Sequence, residues 1–226
     1  MLKGHPLMAY TIAAAVDSGV FDEVVCVTDH ERYAACAKHY GAKVPALRPA
    51  SISGDKSPDF EWLEWIIELL KSEGQTFDAF SILRPTSPFR KPETIQRAWK
   101  EFESNPMADS IRAVELCGQH PGKMWVVQDN ALMQPLMPMS FFEQPMHSMQ
   151  YAALPPVYIQ NASLEIAWTR VIEESRTISG RHIAPFLTVE DEGLDINNEF
   201  DWFKTDFLME KGEANLPNIK TEPFQY

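Results

Sequence analysis

Leu83-Arg84-Pro85-Thr86-Ser87-Pro88-Phe89-Arg90 is the stretch of sequence that decides how this chain is expected to fold. The apolar residues 79–83 that lead into it predict a short buried strand. Its prolines prevent a strand or a helix from continuing, because proline fixes φ and lacks an N–H donor. Residues 94–105 then predict a helix, with Pro92 near the first turn. The stretch is therefore predicted to be a rigid loop between a strand and a helix.

A strand, a polar loop and a helix in this order form the βα unit of a parallel sheet. The loop lies at the carboxyl end of its strand, where open α/β sheets bind ligands. An ordinary proline-rich turn is the alternative interpretation. Outward from this unit, helices are predicted at 6–18, 31–40 and 60–71, and further strands at 23–28 and 110–114. The alternation predicts an α/β fold with a mostly parallel, doubly wound sheet.

The second half of the chain is less regular. Residues 119–156 are rich in methionine and proline without a helical period, which indicates apolar surface available for an interface; a surface excursion is the alternative. Strands follow at 164–168 and 183–189. A closing helix is expected at 199–211, capped by Asn197 or Asn198, much as Asp29 is expected to cap the helix at 31–40. The polar tail after this helix is expected to be loosely held.

The composition of the 226 residues limits the classes of function. A net charge of −12 argues against a nucleic-acid partner, since no basic stripe is present to neutralise phosphates. No apolar run has the length of a membrane span and no signal peptide pattern opens the chain, so we expect no membrane partner. The three cysteines lack metal-ligand spacing and suit a reducing cytoplasm.

A few polar residues are candidates for chemistry, and each has an ordinary alternative. Asp195 lies in an apolar junction, where a carboxylate either caps a helix or holds a hard cation; Asn197 would point the same way in an extended segment. Lys123 follows a rigid turn and could contact an anion, or it is simply solvated. Arg48 suits an anion or a base edge, or a surface ion pair. No Ser/His/Asp triad, metal cluster or dinucleotide fingerprint is visible.

Taken together, several stretches resemble motifs of the acylneuraminate cytidylyltransferase family, also called CMP-sialic acid synthetases. The family motifs are L-x-G-x-P-L-I-x-Y-T-I, V-x-V-S-T-D, L-R-P-A, L-Q-P-T-S-P-L-R, N-G-A and I-D-I-D. The corresponding stretches here are LKGHPLMAYTI at 2–12, VCVTD at 25–29, LRPA at 47–50, LRPTSPFR at 83–90, QNA at 160–162 and LDIN at 194–197. Each motif alone is weak evidence, whereas their shared order and spacing are specific.

The resemblance implies a fold and a reaction. The fold would be a Rossmann-like three-layer sandwich, a single nucleotidyltransferase domain over 1–226 with a small dimerisation arm, residues 119–156, inserted. The reaction would transfer CMP from CTP to a nine-carbon 2-keto sugar acid, a nonulosonic or sialic-acid-like acid, and release pyrophosphate. Mg²⁺ would bridge phosphate oxygens and neutralise developing charge. The protein would be a homodimer in which the arm reaches into the partner's site.

The resemblance also implies roles for particular residues. Asp195 and Lys123 would be catalytic, and Asp195 with Asn197 would hold the metal. The cytidine would lie among Arg48, Ser57 and Asp59, while Lys123 and Asn161 would face the sugar and the transferred phosphoryl group. The substrate-binding residues so assigned are Arg48, Ser57, Asp59, Arg84, Thr86, Ser87 and Asn161.

This sequence departs from the family pattern in three ways. It begins inside the pattern, and the glycine- and lysine-containing loop that cradles the triphosphate in the family is absent from it, so we expect this chain to be catalytically poor. Asn197 stands where the family usually has a second metal-binding Asp. Arg84 stands where Gln is usual, and Met146 lies near a position that is often Arg.

Arg84 leads to an expectation about the substrate. A guanidinium only donates hydrogen bonds and is permanently charged, so it should favour a sugar that presents a carboxylate or several acceptor oxygens. The alternative is that Arg84 pairs with a carboxylate of the protein. Two rival functions also stay open: a non-catalytic or truncated homologue that binds a ligand or a partner chain, and a nucleotidyltransferase for a shorter octulosonate.

Overall fold

The computed structural model of the protein describes residues 1–137 and 144–225. The methionine-rich stretch at 138–143, which includes Met139, Phe141 and Phe142 of the predicted interface, lies outside the described residues. The helices are α1 (Leu7–Ser18), α2 (Glu31–His39), α3 (Asp59–Ser72), α4 (Pro92–Glu103), α5 (Arg170–Ser175) and α6 (Glu199–Lys211). The strands are β1 (Ala79–Ile82), β2 (Ser110–Leu116), β3 (Trp125–Val127), β4 (Met133–Pro135), β5 (Tyr158–Trp168) and β6 (Ile183–Leu187).

The chain divides into two compact units. The first contains residues 1–113 and 161–226, and the second contains residues 114–160. The predicted arm, 119–156, falls within the second unit. In that unit β3 and β4 form an antiparallel hairpin with Trp125 opposite Pro135. The interpretation of 1–226 as one domain with a dimerisation arm stays a prediction.

The main sheet has the strand order β1-β5-β2-β6. Strand β5 lies beside β1 and runs antiparallel to it, with Ala79 opposite Trp168 and Ile82 opposite Glu165. The sheet therefore contains an antiparallel pair that the sequence did not indicate. Periodicity in a sequence reports which faces of a strand are buried, but it carries no information about the direction of the neighbouring strand.

Helices cover both faces of this sheet. On one face Leu164 and Ile166 of β5 pack with Phe102 of α4. On the other face Ala167 packs with Leu63 of α3. Successive residues of a strand point to opposite faces, so a single strand contributes to both cores. This three-layer arrangement is the α/β architecture that the sequence predicts.

The segment at 23–28 is extended but is not a strand. Its described pairing is one parallel bridge between Val25 and Lys43, in which Cys26 N donates to Lys43 O (2.9 Å) and Lys43 N donates to Val24 O (2.8 Å). Val24 and Cys26 pack on the α1–α2 core, whereas Val25 and Val27 pack on the α3 core. The predicted burial on both faces is therefore confirmed. The predicted strand is wrong, because one bridge does not form a ladder.

Two local predictions are also corrected. The N-cap of α2 is His30, whose side chain accepts from Arg32 N, rather than Asp29. The tail is held rather than loose: Phe224 packs on the α1–α2 core, and His39 contacts the Glu222 carbonyl at 2.7 Å. By contrast, Asn198 caps α6 as predicted. Within the described residues, no helix is both long and apolar enough to cross a membrane.

Candidate functional site

The loop after β1 is fixed through its backbone. The carbonyl of Arg84 accepts hydrogen bonds from Thr11 Oγ1 (3.3 Å) on α1 and from Arg90 Nη2 (3.0 Å). The prolines that end β1 remove backbone donors, so the loop depends on these side-chain donors instead. The loop is thus held in one shape independently of where the Arg84 side chain points.

The Arg84 side chain forms a two-point ion pair with Asp59 at the start of α3. Arg84 Nη1 donates to Asp59 Oδ1 at 3.3 Å and Nη2 contacts Oδ2, while Trp62 Nε1 donates to Oδ1 at 2.8 Å. Burial alone would raise the pKa of Asp59, but the hydrogen bonds from Arg84 and Trp62 outweigh it and lower that pKa. The structure thus shows the arrangement that was the alternative expectation for Arg84, pairing with a protein carboxylate.

A second charge pair lies next to the first. Glu165 of β5 is opposite Ile82, the residue that precedes the Arg84 loop, and its Oε2 is 3.0 Å from Arg112 Nη2 of β2. Burial is the main cause that raises the pKa of Glu165, and the charges of Arg112 and Arg84 oppose it. Sequence reasoning missed both residues. The available signal was a single charged residue within each of two apolar strands, which is rarely left unpaired.

Arg90, the last residue of the loop, is completely buried. Its Nη1 donates to Ser163 O, and its Nη2 donates to Thr11 Oγ1 at 2.9 Å as well as to Arg84 O. These three acceptors are uncharged. Burial lowers the pKa of Arg90 to about 9, and the nearby Asp195 charge acts in the opposite direction. A buried guanidinium therefore connects α1, the loop and β5 behind the predicted site.

Asp195 lies at the junction that leads into α6. Ile196 N donates to Thr86 O (2.9 Å), which ties this junction to the loop after β1. Asn197 Nδ2 donates to Asp195 Oδ2 at 2.7 Å, whereas Asp195 Oδ1 is buried with no hydrogen-bond partner among the described residues. Ser87 Oγ of the loop is likewise buried with no partner in the part of the chain that the structure describes. A buried carboxylate oxygen left unpaired has the chemistry of a ligand for a hard cation.

The residues present fit a Mg²⁺ ion held mainly by substrate. Mg²⁺ in nucleotide sites typically uses one or two carboxylates plus phosphate oxygens and water. Asp195 would supply one such carboxylate, and the Asn197 amide, which donates to it, would orient it without adding a second charge. No group of three or more His, Cys, Asp or Glu residues suited to a metal occurs in the part of the chain that the structure describes.

The other predicted residues have local partners. Arg48 Nε donates to Ser53 Oγ (3.0 Å), and Ser57 Oγ accepts from Gly54 N (3.2 Å). Asn161 Nδ2 donates to Thr188 Oγ1 at 2.9 Å. In the second unit, Lys123 Nζ donates to the carbonyls of His147 (3.3 Å) and Met149 (2.8 Å). The structure thus brings together Asp59 with Arg84 and the Thr86 loop with Asp195.

Comparisons with known proteins identify the family. A sequence model of the family described as cytidylyltransferase matches residues 1–120. The chain is 32% identical over 220 residues to a CMP-N,N'-diacetyllegionaminic acid synthase of Legionella pneumophila, covering 96% of this chain and 90% of that protein. The chain belongs to the cytidylyltransferase family. The family predicted from the sequence motifs is confirmed.

Further cytidylyltransferase relatives are more distant or match only in part. An N-acylneuraminate cytidylyltransferase of Escherichia coli is 27% identical over 89% of this chain and 45% of its own length. A pseudaminic acid cytidylyltransferase of Campylobacter jejuni is 35% identical over 50% of this chain and 48% of its own length. The matched region therefore covers about half the length of each of these two relatives.

Solved structures show the same fold at low sequence identity. A CMP:2-keto-3-deoxy-manno-octonic acid synthetase complexed with CTP aligns with a TM-score of 0.62 at 12% identity, covering 94% of this chain and 90% of that one. A 4-diphosphocytidyl-2C-methyl-D-erythritol synthase from Anaerococcus prevotii aligns with a TM-score of 0.60 at 10% identity, covering 93% and 91%. The predicted Rossmann-like α/β fold is confirmed.

Proposed function

We propose that this cytidylyltransferase transfers CMP from CTP to a nonulosonic, sialic-acid-like sugar acid and releases pyrophosphate. The observation that carries the proposal is the position of Asp195, whose unpaired buried oxygen is tied through Ile196 and Thr86 to the loop after β1. Relatives named for CMP-sugar acid synthesis over most of the chain support the same reaction. The rival interpretation as a non-catalytic binding protein is not favoured.

The chemistry assigns tasks to the residues of this site. The anomeric hydroxyl of the sugar acid attacks the α-phosphorus of CTP and forms a new P–O bond. The bond from the α-phosphorus to the bridging oxygen breaks, pyrophosphate leaves, and the hydroxyl proton passes to water. Asp195 would hold Mg²⁺ and Asn197 would orient its carboxylate. When bound, the ion neutralises charge on the phosphate oxygens. The main task that remains for the protein is to hold CTP and the sugar acid, which are both anions, so that the hydroxyl attacks the α-phosphorus in line.

Further parts of the proposal rest on the resemblance to the family. Arg48 and Ser57 would lie around the cytidine, Asn161 and Lys123 near the sugar and phosphoryl group, and Arg84 in the sugar pocket. Asp59 would act through Arg84. We also propose a cytoplasmic homodimer formed through residues 119–156, supported by the exposed apolar side chains of the β3–β4 hairpin and by the free cysteines.

The test is pyrophosphate release from CTP with a panel of nonulosonic acids and the octulosonate, with and without Mg²⁺. We expect release only when CTP, a nonulosonic acid and Mg²⁺ are all present, and because the triphosphate loop of the family is absent from this sequence, we expect that release to be slow. Asp195→Asn should abolish it while leaving the thermal melting temperature unchanged. Asn197→Asp is the matched variant, and it should lower the Mg²⁺ concentration needed for half-maximal rate. Release with the octulosonate alone, or Mg²⁺-independent release by Asp195→Asn, would contradict the proposal.

A further inference from the structure

The outer face of α6 carries a stripe of exposed aromatic side chains. Phe200, Phe203 and Phe207 are 75%, 66% and 45% exposed. The opposite face of the helix packs inward through Thr205 and Leu208, which are buried. Exposed apolar side chains usually occur singly on a protein surface, so three large ones on one helical face are unusual. The stripe therefore indicates a surface that is covered in the working protein.

The spacing of the stripe is that of a coiled-coil seam. Intervals of three and then four residues put Phe200 and Phe207 at a positions and Phe203 at the first d position of a heptad, while the exposed Glu210 holds the second d position. The e positions are then Lys204 and Lys211. Lys211 Nζ lies 5.6 Å from the centre of the Phe207 ring, so this flank does border the stripe.

The opposite flank of the stripe is acidic. Glu199 and Asp206 occupy the two g positions of the same heptad assignment. One side of the seam is thus basic and the other is acidic. In a parallel helix pair each g position faces an e position of the other helix, five residues further along. In an antiparallel pair, g faces g and e faces e, which here would place like charges together.

We propose that α6 is a self-association surface, on which α6 of a second copy packs in parallel about a two-fold axis along the helices. Glu199 would then pair with Lys204 of the second copy, and Asp206 with Lys211 of the second copy. The two-fold axis repeats both pairs. A second copy of this chain fits the surface because the same helical face carries both an acidic and a basic flank, as a self-complementary interface requires.

The size of the stripe sets the strength of this contact. With about 200 Å² for a whole phenylalanine side chain, the stripe exposes roughly 350 Å² of aromatic surface on each helix. A stable interface buries about 800 Å² on each partner. We therefore expect a weak, reversible and salt-sensitive association, seen at high protein concentration, which adds to any contact made through residues 119–156.

A charge exchange tests the proposal with the full chain. Asp206→Lys places lysine opposite Lys211 of the second copy and Lys211→Glu places glutamate opposite Asp206 of the second copy, so each variant alone should associate about tenfold more weakly than the wild type. An equimolar mixture places lysine opposite glutamate and aspartate opposite lysine. The mixture should recover the wild-type association constant in sedimentation velocity. Lys38→Glu on α2 is the matched control for a surface charge reversal and should leave association unchanged.

A second measurement tests the orientation. In a parallel pair, the thiol introduced by Phe207→Cys lies next to the same thiol of the second copy. In an antiparallel pair, it lies opposite the other end of the second helix, away from that thiol. We expect a disulfide-linked dimer under mild oxidation, with the wild type, which keeps its native cysteines, as the control. The proposal is overturned if the wild type shows no association that depends on these charges, or if the two charge variants do not prefer each other. Because α6 side chains from Phe200 onward are outside the predicted site, CMP transfer should be unaffected in every variant.

Discussion

The ion pair between Arg84 and Asp59 gives a prediction whose size follows from its geometry. The two side chains are 35% and 31% exposed and share a two-point contact. Exposed pairs contribute at most about 1 kcal/mol, whereas breaking a buried pair costs roughly 3–5 kcal/mol. For a pair with a third of its surface exposed, we expect Asp59→Asn to destabilise the protein by about 1.5 kcal/mol.

The substitutions suit a double-mutant cycle because their effects stay local. Asparagine keeps an acceptor for Trp62 Nε1, and the Arg84 carbonyl remains held by Thr11 and Arg90 after Arg84→Gln. Combining Asp59→Asn with Arg84→Gln should reveal a coupling of about 1 kcal/mol, since the second change removes a contact already broken. The measurement is urea unfolding of the wild type, the two single variants and the double variant.

An exposed pair in the same protein provides the control for this cycle. Lys71 and Glu173 are 3.3 Å apart with side chains that are 63% and 73% exposed. The same cycle with Lys71→Met and Glu173→Gln should give a coupling near zero. If the Arg84–Asp59 coupling is no larger than this control, the ion pair does not stabilise the protein and the argument from partial burial is refuted.

Further predictions concern substrate choice, the buried guanidinium, pH and the arm. Arg84→Gln should shift the preference in kcat/KM toward N-acetylneuraminic acid by about tenfold, or 1.4 kcal/mol, in substrate competition; an unchanged ratio means that Arg84 only serves Asp59. Arg90→Lys should lower the free energy of unfolding, measured by urea denaturation, by about 2–3 kcal/mol, because lysine cannot reach the acceptors of both Nη groups. A loss smaller than that of Asp59→Asn would contradict this prediction. The backbone N–H groups of His182 and Arg181 donate hydrogen bonds that lower the pKa of Asp109. The Asp109 carboxylate should therefore stabilise the fold fully above about pH 4, and this stabilisation should be lost on acidification. The difference in free energy of unfolding between the wild type and Asp109→Asn should accordingly be smaller at low pH. Deleting residues 131–146 should reduce the oligomer formed through the arm in light scattering, and an unchanged mass would exclude the arm as an interface.

Most elements could be predicted from the sequence because their limits are set locally. Proline and glycine bracket α1, Pro92 begins α4, and Asn198 caps α6 through its own side chain. The position of β5 could not be predicted. Its antiparallel placement beside β1 depends on pairing between residues about 90 positions apart, and no local pattern encodes a strand's neighbour or direction.

The candidate site was predictable in its loops but not in its pairings. The proline-rich loop and the Asp195 junction were visible as motifs, and the structure ties them together through Thr86. In the sequence, Glu165 and Arg112 each look like an isolated charge among apolar neighbours. Only the placement of β5 in the sheet shows that the two side chains form a pair. Arg84 illustrates the same limit: chemistry predicted that it needs an acceptor, and only the fold shows that Asp59 supplies one.

The held tail has a consequence for how the chain is made. Helices α1 and α2 are synthesised before the tail, yet their apolar cluster packs against Ile219 and Phe224, and Phe224 N donates to Tyr40 Oη across 184 residues. Contacts of such long sequence separation form late, because loop closure must precede them. This cluster therefore stays exposed on the nascent chain until the tail has been made, which gives a chaperone that binds apolar segments a long opportunity here. Synthesis of the tail, rather than of the two helices, is the event that completes this core.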